Sequence, residues 1–148
     1  GVTRAKSFSE ILNIPLMAID KRREEANHVS SMFLMGDVNN KKVIIVDDMI
    51  DTGGSLVKAV DLLLNKGAIS VSACITHGVL SGPAIERIKN SRIEKLYISD
   101  TIPVKKNLPN NITVISSSKY LAQIIKAIHK KESVNIVETK ELKECQAT

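Results

Sequence analysis

Residues 43–55 read Val43-Ile-Ile-Val-Asp-Asp-Met-Ile-Asp-Thr-Gly-Gly-Ser55, and this stretch decides the fold. Four β-branched residues in a row, without polar alternation, predict a strand buried on both faces, as in the interior of a parallel sheet. The strand is expected to end at Val46, with two acids and then a glycine-rich loop leading into an amphipathic helix. That helix is expected over residues 55–66, with Val57, Val60, Leu63 and Leu64 on one face and Gly67 as its stop. In open α/β sheets, ligands bind in the crevice beyond the carboxyl ends of the strands. Here Gly53 and Gly54 let backbone N–H groups approach an anion, and Thr52 and Ser55 add hydroxyl donors. The helix adds its N-terminal dipole. Asp47 and Asp48 would repel a phosphate, so they suit sugar hydroxyls, or Mg²⁺ held through water. The combination describes a phosphorylated sugar, with acids for the ribose diol and a loop, Asp51 to Ser55, for its 5′-phosphate. A strand–turn–helix whose acids only cap the helix explains less, because a cap needs one acid and not three.

Outward from this stretch, strands and helices alternate. A helix is expected over residues 4–13, limited by Pro15, and a short strand over 16–20. Residues 21–27, KRREEAN, carry five charges in seven positions and predict an exposed, mobile loop. A second strand is expected over 29–35, followed by a turn through 36–40. Further strands are expected over 69–76, 96–99 and 113–116, and Pro83 is well placed in the first turn of a helix containing Ile85 and Ile88. Leu121, Ile124, Ile125 and Ile128 mark one face of a last helix. The expected fold class is therefore α/β, a mostly parallel twisted sheet flanked by helices.

The chain has 148 residues, which favours one domain. That domain is expected over residues 1–137, with a loosely held tail over 138–148. Hydrophobic residues make up 43% and charged ones 25%, which argues against disordered, collagen-like and coiled-coil readings. No apolar run approaches the roughly 20 residues that cross a bilayer, and no basic-then-apolar leader opens the chain. Membrane partners are thus not expected. The net charge of +5 suits phosphates, nucleotides or nucleic acid. Two Phe, two Tyr and no Trp make a poor base-stacking platform, which argues against nucleic acid. Two cysteines, Cys74 in an apolar run and Cys145, make no disulfide framework, so a reducing cytoplasm is the expected location.

Neither G-x-x-x-x-G-K-[ST] nor G-x-G-x-x-G occurs. Val-Asp-Asp after an apolar strand also opens phospho-receiver domains. Their accepting Asp ends a later strand, for which Asp100 is the one candidate, and the Asp-Thr-Gly-Gly-Ser loop has no role in that scheme.

Residues 43–55 resemble the phosphoribosyl-diphosphate binding motif of type I phosphoribosyltransferases. Four further stretches resemble the ribose-phosphate pyrophosphokinase family more narrowly: Asp20-Lys-Arg-Arg-Glu-Glu-Ala-Asn27, Gly36-Asp37-Val38, Thr76-His-Gly-Val-Leu-Ser-Gly-Pro-Ala-Ile-Glu-Arg-Ile88 and Glu132-Ser-Val134. The resemblance implies a phosphoribosyltransferase-like fold and places the chain as the second, C-terminal domain of a subunit about twice as long, its N-terminal domain absent. It implies transfer of the diphosphoryl group of ATP to the 1-hydroxyl of ribose 5-phosphate, with Mg²⁺, giving phosphoribosyl diphosphate and AMP. Lys21 and Arg23 then belong to a catalytic loop, and Asp47, Asp48, Asp51, Thr52, Gly53, Gly54 and Ser55 to the ribose 5-phosphate site. No metal ligand is expected directly in this part of the protein, Asp47 and Asp48 acting through water. His77 is expected to support packing or a turn more than to touch ligand, and His28 and His129 show no partner pattern. Ser133 and Val134 match a motif implied to serve allosteric regulation, although Glu138 stands where the family usually has Phe. The resemblance further implies a hexamer for the full-length protein and little activity for this part alone. Two other readings stay open: a synthetase-associated regulatory subunit without catalysis, and a nucleobase phosphoribosyltransferase. The first tends to lose the phosphate loop and the Lys-x-Arg spacing, and the second should lack the Thr76–Ile88 signature.

Overall fold

The computed structural model describes residues 2–22, 31–104 and 107–135. In chain order the elements are α1 (Val2–Leu12), β1 (Ala18–Arg22), β2 (Ser31–Met35), β3 (Lys42–Ile50), α2 (Gly54–Asn65), β4 (Ser70–Gly78), α3 (Ala84–Lys89), β5 (Lys95–Ser99), β6 (Ile112–Ile115) and α4 (Ser118–His129). The chain divides into two compact units, Gly1–Ile115 and Ser116–Thr148.

In the first unit, β3, β4, β5 and β6 form a parallel sheet in sequential order. The α/β class expected from the sequence is the one observed. Helices α2 and α3 link successive parallel strands, as such pairing requires. α2 turns Leu56, Ala59, Val60 and Leu63 inward at helical spacing. Leu56, Val60 and Leu63 meet Val71, Ala73 and Ile75 of β4, Leu96 and Ile98 of β5, and Ala84 and Ile88 of α3 in a single core. Ile88 and Leu96 are wholly buried, each burial stabilising by about 1.5–3 kcal/mol.

Three expectations are corrected. β3 does not stop at Val46 but runs through both acids to Ile50, because its ladder with β4 continues through Asp47↔Ile75 and Met49↔His77. Its apolar run is not buried on both faces: β3 is an edge strand, and Ile44 is 53% exposed. Finally, β1 and β2 stand apart from the main sheet as an antiparallel pair, in which Lys21 is registered with Met32 and Arg22 with Ser31. Lys21 and Arg22 are thus strand residues rather than loop residues; cross-strand backbone pairing outweighs the local charge density. Residues 23–27 lie outside the described residues.

In the second unit α4 forms as its periodicity predicts, with Ala127 buried, while Leu121, Ile125 and Ile128 are exposed. Ser133 is exposed and Val134 half-buried beyond it.

Candidate functional site

β3 delivers its acids to the carboxyl end of the sheet and hands the chain to residues 51–53, which turn into α2. Gly53 makes that turn possible. Its φ of +76° is left-handed backbone, a conformation that costs a residue with a Cβ roughly 1–2 kcal/mol. It caps α2 without a side-chain bond, its carbonyl accepting from the Val57 N–H at 3.1 Å. Among the described residues, none accepts a hydrogen bond from the backbone N–H of Thr52, Gly53, Gly54 or Ser55. Gly54 and Ser55 open the helix, where N–H groups have no intrahelical acceptor. Four successive N–H groups, that of the buried Gly53 among them, are thus without an acceptor among the described residues, at the positive end of a helix of 12 residues.

The same loop lines a cavity of about 1110 Å³, shared with Phe8 and Leu12 of α1, Met17, Asp47 and Cys74. That volume admits a nucleotide-sized ligand. Asp47, Asp51, Thr52, Gly53, Gly54 and Ser55 all line this cavity. Asp48 is not among the lining residues. Adjacent strand residues project to opposite faces, and the Asp48 Oδ2 instead meets Nη1 of Arg4 at 3.3 Å. The two acids also touch, the Asp48 N–H donating to Asp47 Oδ1 at 2.9 Å. The hydrogen-bonded Asp47 side chain, then the backbone N–H and the Arg4 guanidinium, hold the Asp48 carboxyl below its ordinary value. Asp48 is consequently anionic at neutral pH. Burial pushes the thiol of Cys74, a half-buried residue lining the cavity, up from its ordinary value.

Behind the loop lies the turn between β4 and α3. Ser81 Oγ donates to Asp51 Oδ1, the Ser81 N–H donates to the Asp51 carbonyl at 3.2 Å, and Arg87 Nη1 donates to the Thr52 carbonyl at 3.0 Å. Ser81 and Arg87 lie inside the stretch of residues 76–88 that carried the resemblance, but only tertiary structure shows what they touch. Arg4 gave no sequence signal at all.

His77 is engaged at the ends of β4 and β5. Its Nδ1 lies 2.9 Å from Thr101 Oγ1, beside Ser99 Oγ, which donates to the Thr76 carbonyl at 2.6 Å. That arrangement pins a turn. Lys21 has its backbone in the β1–β2 ladder, and Arg23 and His28 lie outside the described residues. Among the described residues, no group of three His, Cys, Asp or Glu side chains could hold a metal alone. One or two carboxylates, completed by water and substrate phosphates, are what Mg²⁺ commonly uses; of the acid pair, Asp47 lines the cavity while Asp48 is engaged by Arg4. No helix among the described residues is long and apolar enough to cross a membrane.

The chain is similar to known proteins along most of its length. Residues 2–137 match the model of the phosphoribosyl synthetase-associated domain. Ribose-phosphate pyrophosphokinase of Campylobacter jejuni is 49% identical over 135 residues, and that of Caldanaerobacter subterraneus 51% identical over 136; in each case 91% of this chain and 43% of the relative are covered. The crystal structure of phosphoribosylpyrophosphate synthetase from Mycobacterium smegmatis superimposes with a TM-score of 0.78 at 36% identity, over 88% of this chain and 42% of the other. The chain thus spans less than half the length of these relatives, and the matched part includes the parallel sheet, the acid pair and the glycine loop. It belongs to the phosphoribosyl synthetase-associated domain family.

Proposed function

We propose that this chain carries the ribose 5-phosphate site and part of the catalytic loop of a ribose-phosphate diphosphokinase. The observation that carries the reading is the run of four backbone N–H groups, Thr52 to Ser55, that no described residue accepts from, beside Asp47 in one cavity. The N–H groups and the Thr52 and Ser55 hydroxyls hold the 5′-phosphate. Asp47 accepts from ribose hydroxyls, and Asp48, kept ionised, supports it from the neighbouring position. The names of the relatives support the rest.

On this reading the 1-hydroxyl oxygen forms a bond to the β-phosphorus of ATP and gives up its proton to solvent, the bond from that phosphorus to the α,β-bridging oxygen breaks, and AMP departs with that oxygen. Asp47, with Asp48 at the neighbouring position, would hold Mg²⁺ through water, and the ion would supply charge neutralisation of the phosphates. The residues of this chain hold and orient the sugar, while Lys21 and Arg23 bring cationic charge to the transferring group. The whole protein acts as a homo-oligomer, the hexamer that the family resemblance implies, and the chain alone has little turnover because most ATP contacts belong to the part it lacks.

Calorimetric titration of the folded chain tests the site. Ribose 5-phosphate binds and ribose does not, since the loop recognises the phosphate. Equal heats for the two sugars, or none for either, overturn the assignment. AMP production from ATP and ribose 5-phosphate by the intact protein then separates the enzyme from a regulatory subunit of the same fold. The intact Asp-Thr-Gly-Gly-Ser loop and the Lys21-x-Arg23 spacing favour the enzyme.

A further inference from the structure

The phosphate loop does not shape itself. Three successive carbonyls of the chain entering it are each held by the segment that follows β4. The Ile50 carbonyl accepts from the N–H groups of Val79 at 3.0 Å and Leu80 at 3.2 Å. The Asp51 carbonyl accepts from the Ser81 N–H at 3.2 Å, and the Thr52 carbonyl from Arg87 Nη1 at 3.0 Å. In a trans peptide the C=O and N–H point in opposite directions. Fixing these carbonyls against residues 79–87 therefore turns the N–H groups of Asp51, Thr52 and Gly53 the other way.

We infer that Arg87 is a positioning residue for phosphate binding, aiming the Gly53 N–H into the cradle by holding the Thr52 carbonyl. Of the donors that grip these three carbonyls, Arg87 alone is a side chain, so it is the grip that a substitution can remove. The loop is built to receive it. A Cβ on Gly54 would lie 3.6 Å from Arg87 Nη1, so the guanidinium rests directly against the loop backbone. A Cβ on Gly53 would lie 3.7 Å from the Ala84 backbone, so the same segment closes the loop from behind at a second point. A charged donor on the Thr52 carbonyl also polarises the Thr52–Gly53 peptide, which strengthens its N–H as a donor. Arg87 is itself exposed, so its loss removes little packing.

This inference rests on the reading of residues 51–55 as a phosphate cradle, and its test separates the two. Inorganic phosphate is titrated into ¹⁵N-labelled protein while the Gly53 and Gly54 amide resonances are followed, and ribose 5-phosphate is titrated by calorimetry. The wild type, Arg87→Met and Arg87→Lys are compared at equal thermal stability. In Arg87→Met the phosphate-induced shift of Gly53 shrinks and ribose 5-phosphate affinity falls about tenfold, the scale of one charge-assisted hydrogen bond. Arg87→Lys, which keeps a charged donor, recovers most of both. A Gly53 response in Arg87→Met equal to that of the wild type overturns the role of Arg87. So does a loss that Lys fails to recover, which marks a bulk structural effect. If phosphate moves Gly53 through Arg87 while ribose 5-phosphate shows no binding heat, the positioning role stands and the sugar reading falls.

Discussion

The two regions implicated in chemistry are built in opposite ways. The loop at residues 51–55 is gripped from behind by residues 79–87 and runs into α2, whose Leu56 is buried, over an α3 whose Ala84 and Ile88 are wholly buried. The β1–β2 pair, which leads toward Arg23, is a two-stranded ladder of five residue pairs. Ile19 and Leu34 pack against the core, whereas Phe33 is 54% and Met35 64% exposed. A lone two-stranded ladder is marginal in water; the loop is anchored by the most buried part of the domain. The contrast suits a division of labour, in which a preformed element spends no binding energy on being ordered and a lightly packed one carries charge to the reacting group.

Substitutions in the two regions should therefore differ in kind as well as in size. The largest effect is expected at the ladder. In the intact protein, Lys21→Ala lowers kcat by about 10²–10³-fold, the loss typical of one cationic transition-state contact, and leaves KM for ribose 5-phosphate within a few-fold. Steady-state kinetics checks this, and a rise in KM with kcat intact would remove the distinction between the regions. A smaller effect of the opposite kind is expected at the loop. Gly53→Ala meets no clash, since its Cβ would sit 3.7 Å from the Ala84 backbone, but it must hold a φ of +76°. That strain, roughly 1–2 kcal/mol, is met by misaligning the amides. Affinity for ribose 5-phosphate falls about 10–30-fold by calorimetry, while the melting temperature drops only a few degrees. Unaltered affinity would mean that the turn tolerates a side chain and that its amides do not need this geometry.

The same contrast explains what could be read from the sequence. Elements that pack onto the shared core announce themselves through periodicity. Val57, Val60 and Leu63 mark α2 because one face of it packs on the core, whereas the β-branched run marks β3 through strand propensity, since Ile44 is exposed on this edge strand. The carboxyl end of β3 was hidden because Asp47 and Asp48 look like the start of a loop, although strand pairing to β4 carries them on to Ile50. Lys21 and Arg22 were hidden for the same reason. A charge run reads as solvated loop unless a partner strand supplies the backbone bonds, and Met32 and Ser31 do so here. The turn at the glycine loop was legible because a left-handed φ selects glycine at position 53. Its supports were not. Arg87 is 35 residues from Thr52 and Ser81 is 30 from Asp51, so no local pattern couples them. Arg4 meets Asp48 from a helix whose sequence shows nothing but amphipathic spacing.

The smallest expected effect lies at that last contact. The Asp47 side chain comes first among the influences holding the Asp48 carboxyl below the ordinary 3.8, followed by the backbone N–H, and Arg4 adds to both. Arg4→Ala should therefore raise the Asp48 midpoint in a ¹³C-carboxyl titration without carrying it past 3.8. The sign for stability follows from linkage. A carboxyl lowered in the folded state stabilises that state above its unfolded value, and the contribution is lost as pH falls through the folded value. Removing Arg4 narrows that difference, so the contribution of Asp48 is smaller in the variant and its loss is complete at a slightly higher pH than in the wild type. Both partners are about half exposed, so salt should erase most of the difference between the two titrations. An Asp48 midpoint that Arg4→Ala leaves in place would mean that the Asp48 carboxyl is held low without the helix, and that α1 contributes shape to the cavity and not charge.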